Sequence, residues 1–187
     1  MSGTGERRES AGLVVYSSKT GNTRKLAQGI HRGLEEALGT GIRLAAVEDN
    51  PDPSGSAWIL AGFWADRGNA DQKALAYLKS LEGRSVGLFG TLGAYPDSAH
   101  AGDIAQKAKD AVTEKNTILG CFLCQGKIDP ALTERFRSLP ADNPHAMTEE
   151  RMRRHREAAK HPDENDITAG ISACLAMIKA VLPGAAK

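Results

Sequence analysis

The residues best suited to chemistry form a short polar loop near the start of the sequence. The loop follows an apolar run at Leu13–Tyr16 and precedes a helical pattern. Backbone N–H groups at the amino end of a helix, together with the helix dipole, favour an anion. Lys19 is the only charged residue of the loop, so we expect one phosphate group rather than a triphosphate with its magnesium. The candidate residues are Ser17, Ser18, Lys19, Thr20, Gly21, Asn22 and Thr23.

Apolar runs alternate with helical patterns along the chain, which is typical of βαβ units and a parallel sheet. The predicted strands are Leu13–Ser17, Ile42–Val47, Ala57–Phe63, Ser85–Gly90 and Thr117–Leu123. The predicted helices are Thr23–Leu38, Asp71–Leu81, Ser98–Thr113 and Asp166–Leu182. We therefore expect an α/β fold with a doubly wound, five-stranded parallel sheet. Residues 11–187 are expected to form a single domain, and the polar residues 1–10 a disordered tail.

A stretch at about residues 126–163 is longer than a minimal five-stranded fold requires. It contains two helical patterns, Asp129–Leu139 and Thr148–His161, separated by prolines. The second pattern has many charges and few apolar residues, which favours a surface helix in contact with solvent. The alternative is that this basic helical insertion lies near the anion site and helps to dock a partner.

Two further loops are expected to border the same crevice as the polar loop. In an open parallel sheet, ligands bind beyond the carboxyl ends of the strands where the strand order reverses. The loop after the third predicted strand begins with an aromatic pair, which suits stacking on a planar ring. Its candidates are Phe63, Trp64, Ala65, Asp66 and Gly68, and the loop after the fourth predicted strand adds Thr91, Leu92, Gly93 and Tyr95. Trp64 is the residue expected to stack, and the alternative for it is a place in the core.

The residues Ser18–Thr23 resemble the phosphate loop of flavodoxins, written S/T-x-T-G-x-T and placed after the first strand. In flavodoxins this loop holds the phosphate of FMN. The resemblance implies a sheet order of 2-1-3-4-5 and FMN as the cofactor. It also implies that Trp64 and Tyr95 cover the flavin ring, and that Gly68 permits a redox-dependent change of backbone orientation.

A closer resemblance covers nearly the whole chain. Four segments carry it: Gly62–Gly68, Phe89–Thr91, Cys124–Lys127 and His161–Asp166. They are similar to the BilS branch of flavodoxin-like proteins, which is associated with bacterial bilirubin reductase systems. A role in tetrapyrrole reduction is implied by that association alone.

Cys121 and Cys124 form a C-x-x-C pair within a predicted strand. Residues three apart on a strand lie on opposite faces, so we favour two structural thiols over a redox pair or a metal site. Cys124, near the end of the strand, is also a candidate for lining the flavin crevice. Cys174 falls in the apolar pattern of the last helix and is expected in the core.

Composition excludes several other classes of function. The chain has 187 residues and a formal net charge of +1, which argues against nucleic acid or an anionic membrane as a partner. No apolar run approaches the ~18 residues of a membrane span, and the first ten residues lack the apolar centre of a signal peptide. We expect a cytoplasmic location.

The resemblance implies an electron carrier that moves reducing equivalents from an upstream reductase to an acceptor such as a bilirubin-reductase-like enzyme. The lack of a second dinucleotide fingerprint favours this hypothesis. The first alternative is a flavin-dependent NAD(P)H:quinone-type oxidoreductase, in which the insertion covers the flavin. The second is an interaction module without flavin, which the intact phosphate loop disfavours.

Overall fold

A parallel β-sheet with helices on both faces forms the centre of the fold. The computed structural model describes residues 12–39, 41–112, 114–140 and 142–182, so the tail predicted at residues 1–10 lies outside the described residues. The strands are β1 (Gly12–Tyr16), β2 (Ile42–Ala46), β3 (Ile59–Asp66), β4 (Asn69–Ala70), β5 (Ser85–Leu92) and β6 (Thr117–Gln125). The α-helices are α1 (Asn22–Leu38), α2 (Gln72–Ser80), α3 (Ala99–Asp110), α4 (Pro130–Arg137), α5 (Glu149–Ala158) and α6 (Glu164–Ile178).

The order of the parallel strands is β2-β1-β3-β5-β6. This is the predicted order 2-1-3-4-5 once the short strand β4 is set aside, so the doubly wound α/β fold is confirmed. The order reverses between β1 and β3, and the loops that follow these two strands therefore border one crevice.

Strand β4 is the one element of the sheet that the sequence pattern did not predict. It pairs antiparallel with the end of β3, with Ala65 opposite Ala70 and Asp66 opposite Asn69. The turn between them holds Arg67 at φ 49° and Gly68 at φ 79°. Two successive positive φ angles are the geometry of a tight two-residue hairpin. β3 consequently runs to Asp66, beyond the predicted end at Phe63.

Two apolar cores lie on the two faces of the sheet. One packs the sheet against α2 and α3, and the other packs it against α1 and α6. Because both faces are covered, the strands are continuous apolar runs rather than alternating ones. Trp58 and Cys174 are buried in the core, as expected. Gly33 allows α1 and α6 to approach closely. A Cβ at this position would lie only 2.4 Å from Ile171 Cδ1.

The predicted helical insertion is present as α4 and α5, between β6 and α6. The two helices pack on each other: Thr133 of α4 hydrogen-bonds His155 of α5 at 2.9 Å, and the N–H of Met147 donates to the carbonyl of Phe136 at 3.2 Å. α5 is thus exposed on one face and buried at His155 and Ala158 on the other. No helix of the described ranges has the length and apolar character that a membrane crossing requires.

Candidate functional site

The amino end of α1 has backbone donors without a partner among the described residues. Ser18 Oγ accepts from the N–H of Arg24 at 3.2 Å, which leaves the N–H groups of Asn22 and Thr23. Gly21, at φ 92°, is the N-cap residue and provides no side-chain hydrogen bond. A Cβ placed on it would meet no atom within 4 Å, so the space beside this helix end is open. The other α-helices of the described residues begin with a side-chain cap, from Asp71, Ser98, Asp129, Thr148 and Asp163 respectively. The N-terminus of α1 therefore retains free N–H groups and the positive end of its dipole.

Asn22 and Thr23 face the protein rather than the open space. Asn22 Nδ2 donates to the carbonyl of Lys127 at 2.9 Å and to Thr20 Oγ1 at 3.1 Å. Thr23 is fully buried, and its hydroxyl lies 2.9 Å from Thr91 Oγ1. These contacts fix the loop against the neighbouring strand ends. The side chains left at the surface of the loop are Lys19 and Thr20, with Ser18 half-buried and accepting from the N–H of Arg24 at 3.2 Å.

Asp71 connects the loop after β1 with the end of β3. Its carboxylate accepts from Ser17 Oγ at 2.7 Å and from the N–H of Trp64 at 3.3 Å. It also caps α2 by accepting from the N–H groups of Lys73 and Ala74. Both Asp71 and Ser17 are buried. This residue was not among the predicted site residues, although an aspartate at the start of a predicted helix was the available signal.

The aromatic pair of β3 divides between the core and the crevice. Phe63 is buried in the core, and a Cβ on Gly90 would lie 2.9 Å from its ring. Phe63 therefore contributes its backbone to the site: its carbonyl is 3.4 Å from Thr23 Oγ1. Trp64 is half-buried, and Lys19 Nζ lies 5.3 Å from its ring centroid in a cation–π contact. The structure thus places Trp64 beside the phosphate loop, while its stacking on a flavin stays a prediction.

The hairpin after Trp64 contains Ala65, Asp66 and Gly68, all half-buried. Lys107 of α3 donates to the carbonyl of Gly68 at 3.2 Å. The peptide expected to change orientation with redox state is therefore held by a lysine from another element. Sequence reasoning missed Lys107 because nothing in the pattern places α3 next to the hairpin.

The last residues of β5 and the loop that follows them form the far wall of the crevice. Thr91 and Leu92 are buried, and the carbonyl of Leu92 accepts from the N–H of Gly126 at 2.9 Å. Gly93 packs against the insertion, since a Cβ there would lie 2.6 Å from Ile128 Cγ1. Tyr95 is half-buried, and its role as the second ring cover stays a prediction.

The cysteines are isolated thiols in apolar surroundings. Cys121 packs against the core on the α2–α3 face of the sheet and Cys124 lies in the core on the α1–α6 face, so the pair does lie on opposite faces. Burial raises the pKa of Cys121 to about 11 and that of Cys174 to about 12. Burial also raises the pKa of Cys124, with a further contribution from Asp166. All three thiols are therefore protonated at neutral pH and poorly nucleophilic.

The segment before α6 supports the phosphate loop from outside. Lys25 Nζ donates to the carbonyl of Pro162 at 2.6 Å, and the N–H of Lys127 donates to the carbonyl of His161 at 3.0 Å. His161 Nδ1 lies 2.6 Å from Asp166 Oδ2, and Asp163 and Asp166 form a capping box on α6. In the described part of the chain, these three side chains are the group whose ligand atoms come within 4.8 Å of one another. Their hydrogen bonds assign them to the helix cap.

The contact between His161 and Asp166 predicts that the stability of the protein depends on pH. The hydrogen bond that His161 donates to the carboxylate of Asp166 raises the pKa of His161 above its usual value. A folded-state pKa above the unfolded one contributes stability at low pH, and that contribution is lost as pH rises through the folded-state pKa. Replacing His161 by asparagine should therefore lower the free energy of unfolding more at about pH 5.5 than at about pH 8.5. Urea titrations of both proteins at the two pH values measure the difference.

His155 is a second histidine whose titration affects stability in that experiment, and it does so with the opposite sign. Burial lowers its pKa, with smaller contributions from neighbouring arginines, so its contribution to stability is lost as pH falls rather than as it rises. Taking the difference between wild type and the His161→Asn variant cancels the His155 contribution. An equal difference at both pH values would show that protonation of His161 beside Asp166 adds no stability to the fold.

Comparisons with known proteins agree with this geometry. The flavodoxin domain family matches residues 13–174. The flavodoxin-like domain-containing protein BilS of Clostridioides difficile (strain CD3) is 33% identical over 172 residues, which cover 90% of this chain and 97% of the relative. BilS of Clostridium symbiosum (strain WAL-14163) is 35% identical over 171 residues, which cover 83% of this chain and 90% of the relative. The resemblance to the BilS branch is thus confirmed.

A solved structure shows the same fold at greater distance. The Flv1 flavodiiron core from Synechocystis sp. PCC6803 has a TM-score of 0.51 and 18% identity, and the alignment covers 93% of this chain. It covers only 37% of the Flv1 chain, so the likeness concerns the fold of one part of that protein. The family match spans most of the sequence, and both BilS relatives are about a third identical to it over nearly their whole length. The chain therefore belongs to the flavodoxin family.

Proposed function

We propose that the protein is an FMN-binding electron-transfer protein that supplies reducing equivalents to a partner reductase. The observation that carries the proposal is the open amino end of α1, where the N-cap residue Gly21 has no side chain to occupy the N–H groups of Asn22 and Thr23. Family membership confirms the predicted cofactor, because FMN is the flavin of flavodoxins. When bound, FMN supplies the electron chemistry, and the protein contributes binding, orientation and electrostatics.

The residues present fit the phosphate of FMN. The groups that would hold it are the N–H groups at the start of α1 together with the hydroxyl of Thr20 and the ammonium of Lys19, two exposed side chains next to Gly21 in the sequence. A single cation and a helix N-terminus suit a phosphate monoester. Asn22 and Thr23 act as positioning residues, since their side chains hold the loop rather than reach outward.

Trp64 and Tyr95 are the side chains that we propose to cover the flavin ring, with the backbone of the β3–β4 hairpin at its polar edge. Cys124 is buried on the α1–α6 face. Its contribution to the crevice is therefore limited to its backbone and to the packing beneath it. Cys121 and Cys124 lie on opposite faces of the sheet and do not form a redox pair, so we assign electron storage to the flavin.

The acceptor that we propose is a bilirubin-reductase-like enzyme, with an upstream reductase as the electron donor. The similarity to BilS proteins supports this choice. The cytoplasmic location stays a prediction from the sequence.

Anaerobic mixing tests the proposal against the oxidoreductase alternative. FMN-loaded protein is reduced by light and then mixed with bilirubin, with a bilirubin-reductase-like enzyme, and with both. We expect reoxidation of the flavin and loss of bilirubin absorbance only when both are present. Separately, NADPH alone should leave the oxidised flavin spectrum unchanged. Rapid bleaching by NADPH would instead favour a stand-alone NAD(P)H oxidoreductase, and failure of the enzyme to accept electrons would refute the acceptor.

A further inference from the structure

A groove between α4 and α5 opens next to the phosphate loop. Its volume is about 280 Å³. Apolar side chains, including Ile128, Met147 and Met152, form much of its lining. Charged side chains complete it: Lys127, Glu134, Arg137 and Arg156. We refer to it as the α4–α5 groove.

The groove is continuous with the walls of the flavin crevice through two adjacent residues. The carbonyl of Lys127 accepts from Asn22 Nδ2 of the phosphate loop at 2.9 Å. Ile128 packs on Gly93 in the loop after β5. A molecule seated in the groove therefore lies beside the phosphate loop and the loop after β5, which border the crevice.

The rim of the groove is positively charged. Arg137 is ion-paired with Glu134, which cancels both charges. Lys127 and Arg156 are exposed, and neither has a carboxylate within ion-pair distance in the described residues. The uncompensated charge of the groove is therefore positive.

The same sign continues around the crevice. Arg67 is exposed at the tip of the β3–β4 hairpin, whereas the charge of Lys19 is assigned to the phosphate of FMN. Two nearby carboxylates, Asp129 and Asp163, cap α4 and α6, where the positive end of each helix dipole offsets part of their charge. Because long-range electrostatics steer association through the sign of the local field, this arrangement favours an acidic partner.

We propose that the α4–α5 groove is the docking surface for a redox partner protein that presents acidic side chains around a protruding apolar one. This inference rests on the proposed electron-transfer function and adds the chemistry of the partner to it. The apolar lining receives the apolar side chain, and Lys127 and Arg156 meet the carboxylates. This role explains why the helical insertion lies next to the crevice: a partner bound in the groove is held at the edge of the crevice.

Electron transfer from a plant-type [2Fe–2S] ferredoxin, an acidic one-electron donor, tests the proposal. Two reduced ferredoxins each lose one electron, and FMN takes up both electrons with two protons from water. The rate constant is measured by anaerobic stopped-flow absorbance between about 20 and about 300 mM salt. The variants are Arg156→Glu and the neutral Arg156→Gln. Lys79→Glu is the control, because Lys79 is exposed in the last turn of α2, whose carboxyl end lies at the opposite edge of the sheet.

We expect the wild-type rate constant to fall as salt rises. At low salt, Arg156→Glu should be about three- to tenfold slower, Arg156→Gln should be intermediate, and Lys79→Glu should stay within about twofold of wild type. The variants should converge at high salt. A rate that rises with salt, or equal effects of Arg156→Glu and Lys79→Glu, would overturn the proposal.

Two further readouts, FMN titration and sedimentation, complete the test. Titration of each protein with FMN comes first, and a protein that binds no FMN refutes the proposed function rather than the docking surface. Arg156→Gln preserves the test if the glutamate variant does not fold. Sedimentation of wild type and Arg156→Glu reports a second copy of the chain as the occupant; self-association that is lost in the variant would overturn the assignment to an acidic partner.

Discussion

Replacing Thr20 by glutamate should abolish FMN binding while leaving the apoprotein slightly more stable. Thr20 is exposed and directly precedes Gly21, the uncapped N-cap of α1. A carboxylate there occupies the place of the phosphate and repels it, so we expect at least about a 100-fold loss of affinity, or about 2.7 kcal/mol. The same carboxylate interacts favourably with the helix dipole and should stabilise the apoprotein by about 0.3–1 kcal/mol.

The matched control is Thr20→Gln, which has the size of glutamate without its charge. It should lose at most about tenfold in FMN affinity and gain no stability. Fluorescence titration with FMN and urea unfolding of the apoproteins measure the two quantities. Wild-type affinity in the glutamate variant would place the phosphate elsewhere in the molecule.

Replacing Asp71 by alanine should produce the largest loss of stability, about 3–4 kcal/mol. The substitution removes the cap of α2 and leaves the buried hydroxyl of Ser17 without its acceptor. It also releases the N–H of Trp64 at the end of β3. FMN affinity should fall too, because Trp64 is then less firmly held beside the phosphate loop. Urea unfolding and FMN titration record the two effects.

A double-mutant cycle separates the cap from the contact with Ser17. Ser17→Ala alone should cost about 1–2 kcal/mol, and the cycle with Asp71→Ala should give a coupling energy of about 1–2 kcal/mol. Asp71→Asn keeps one acceptor oxygen and should be milder than alanine. A coupling energy near zero would show that the two side chains act independently.

The sheet was predictable because its strands are buried on both faces. Runs such as Leu13–Val15 and Val86–Phe89 carry that signal in composition alone, and the helices between them fix a parallel order. β4 was not predictable, since it depends on a positive φ at Arg67, a conformation that few arginines adopt. The hydrophobic pattern of the sequence therefore predicted the parallel strands that border the crevice, but it did not predict the β3–β4 hairpin at the edge of the crevice.

The site was predictable in place and only partly in detail. The pattern located the phosphate loop, but it could not tell that Asn22 and Thr23 point toward other strand ends. Those directions follow from contacts with Lys127 and Thr91, which are distant in sequence. Asp71 was missed for the same reason: its bond to Ser17 spans 54 positions.

The measurement that tests the central claim most directly is a titration of the apoprotein with FMN, followed by flavin fluorescence and absorbance, with riboflavin as the comparison ligand. We predict one FMN per chain and at least about tenfold weaker binding of riboflavin, which lacks the phosphate that the amino end of α1 is placed to hold. A folded protein that binds neither flavin, or that binds riboflavin as tightly as FMN, would contradict the account.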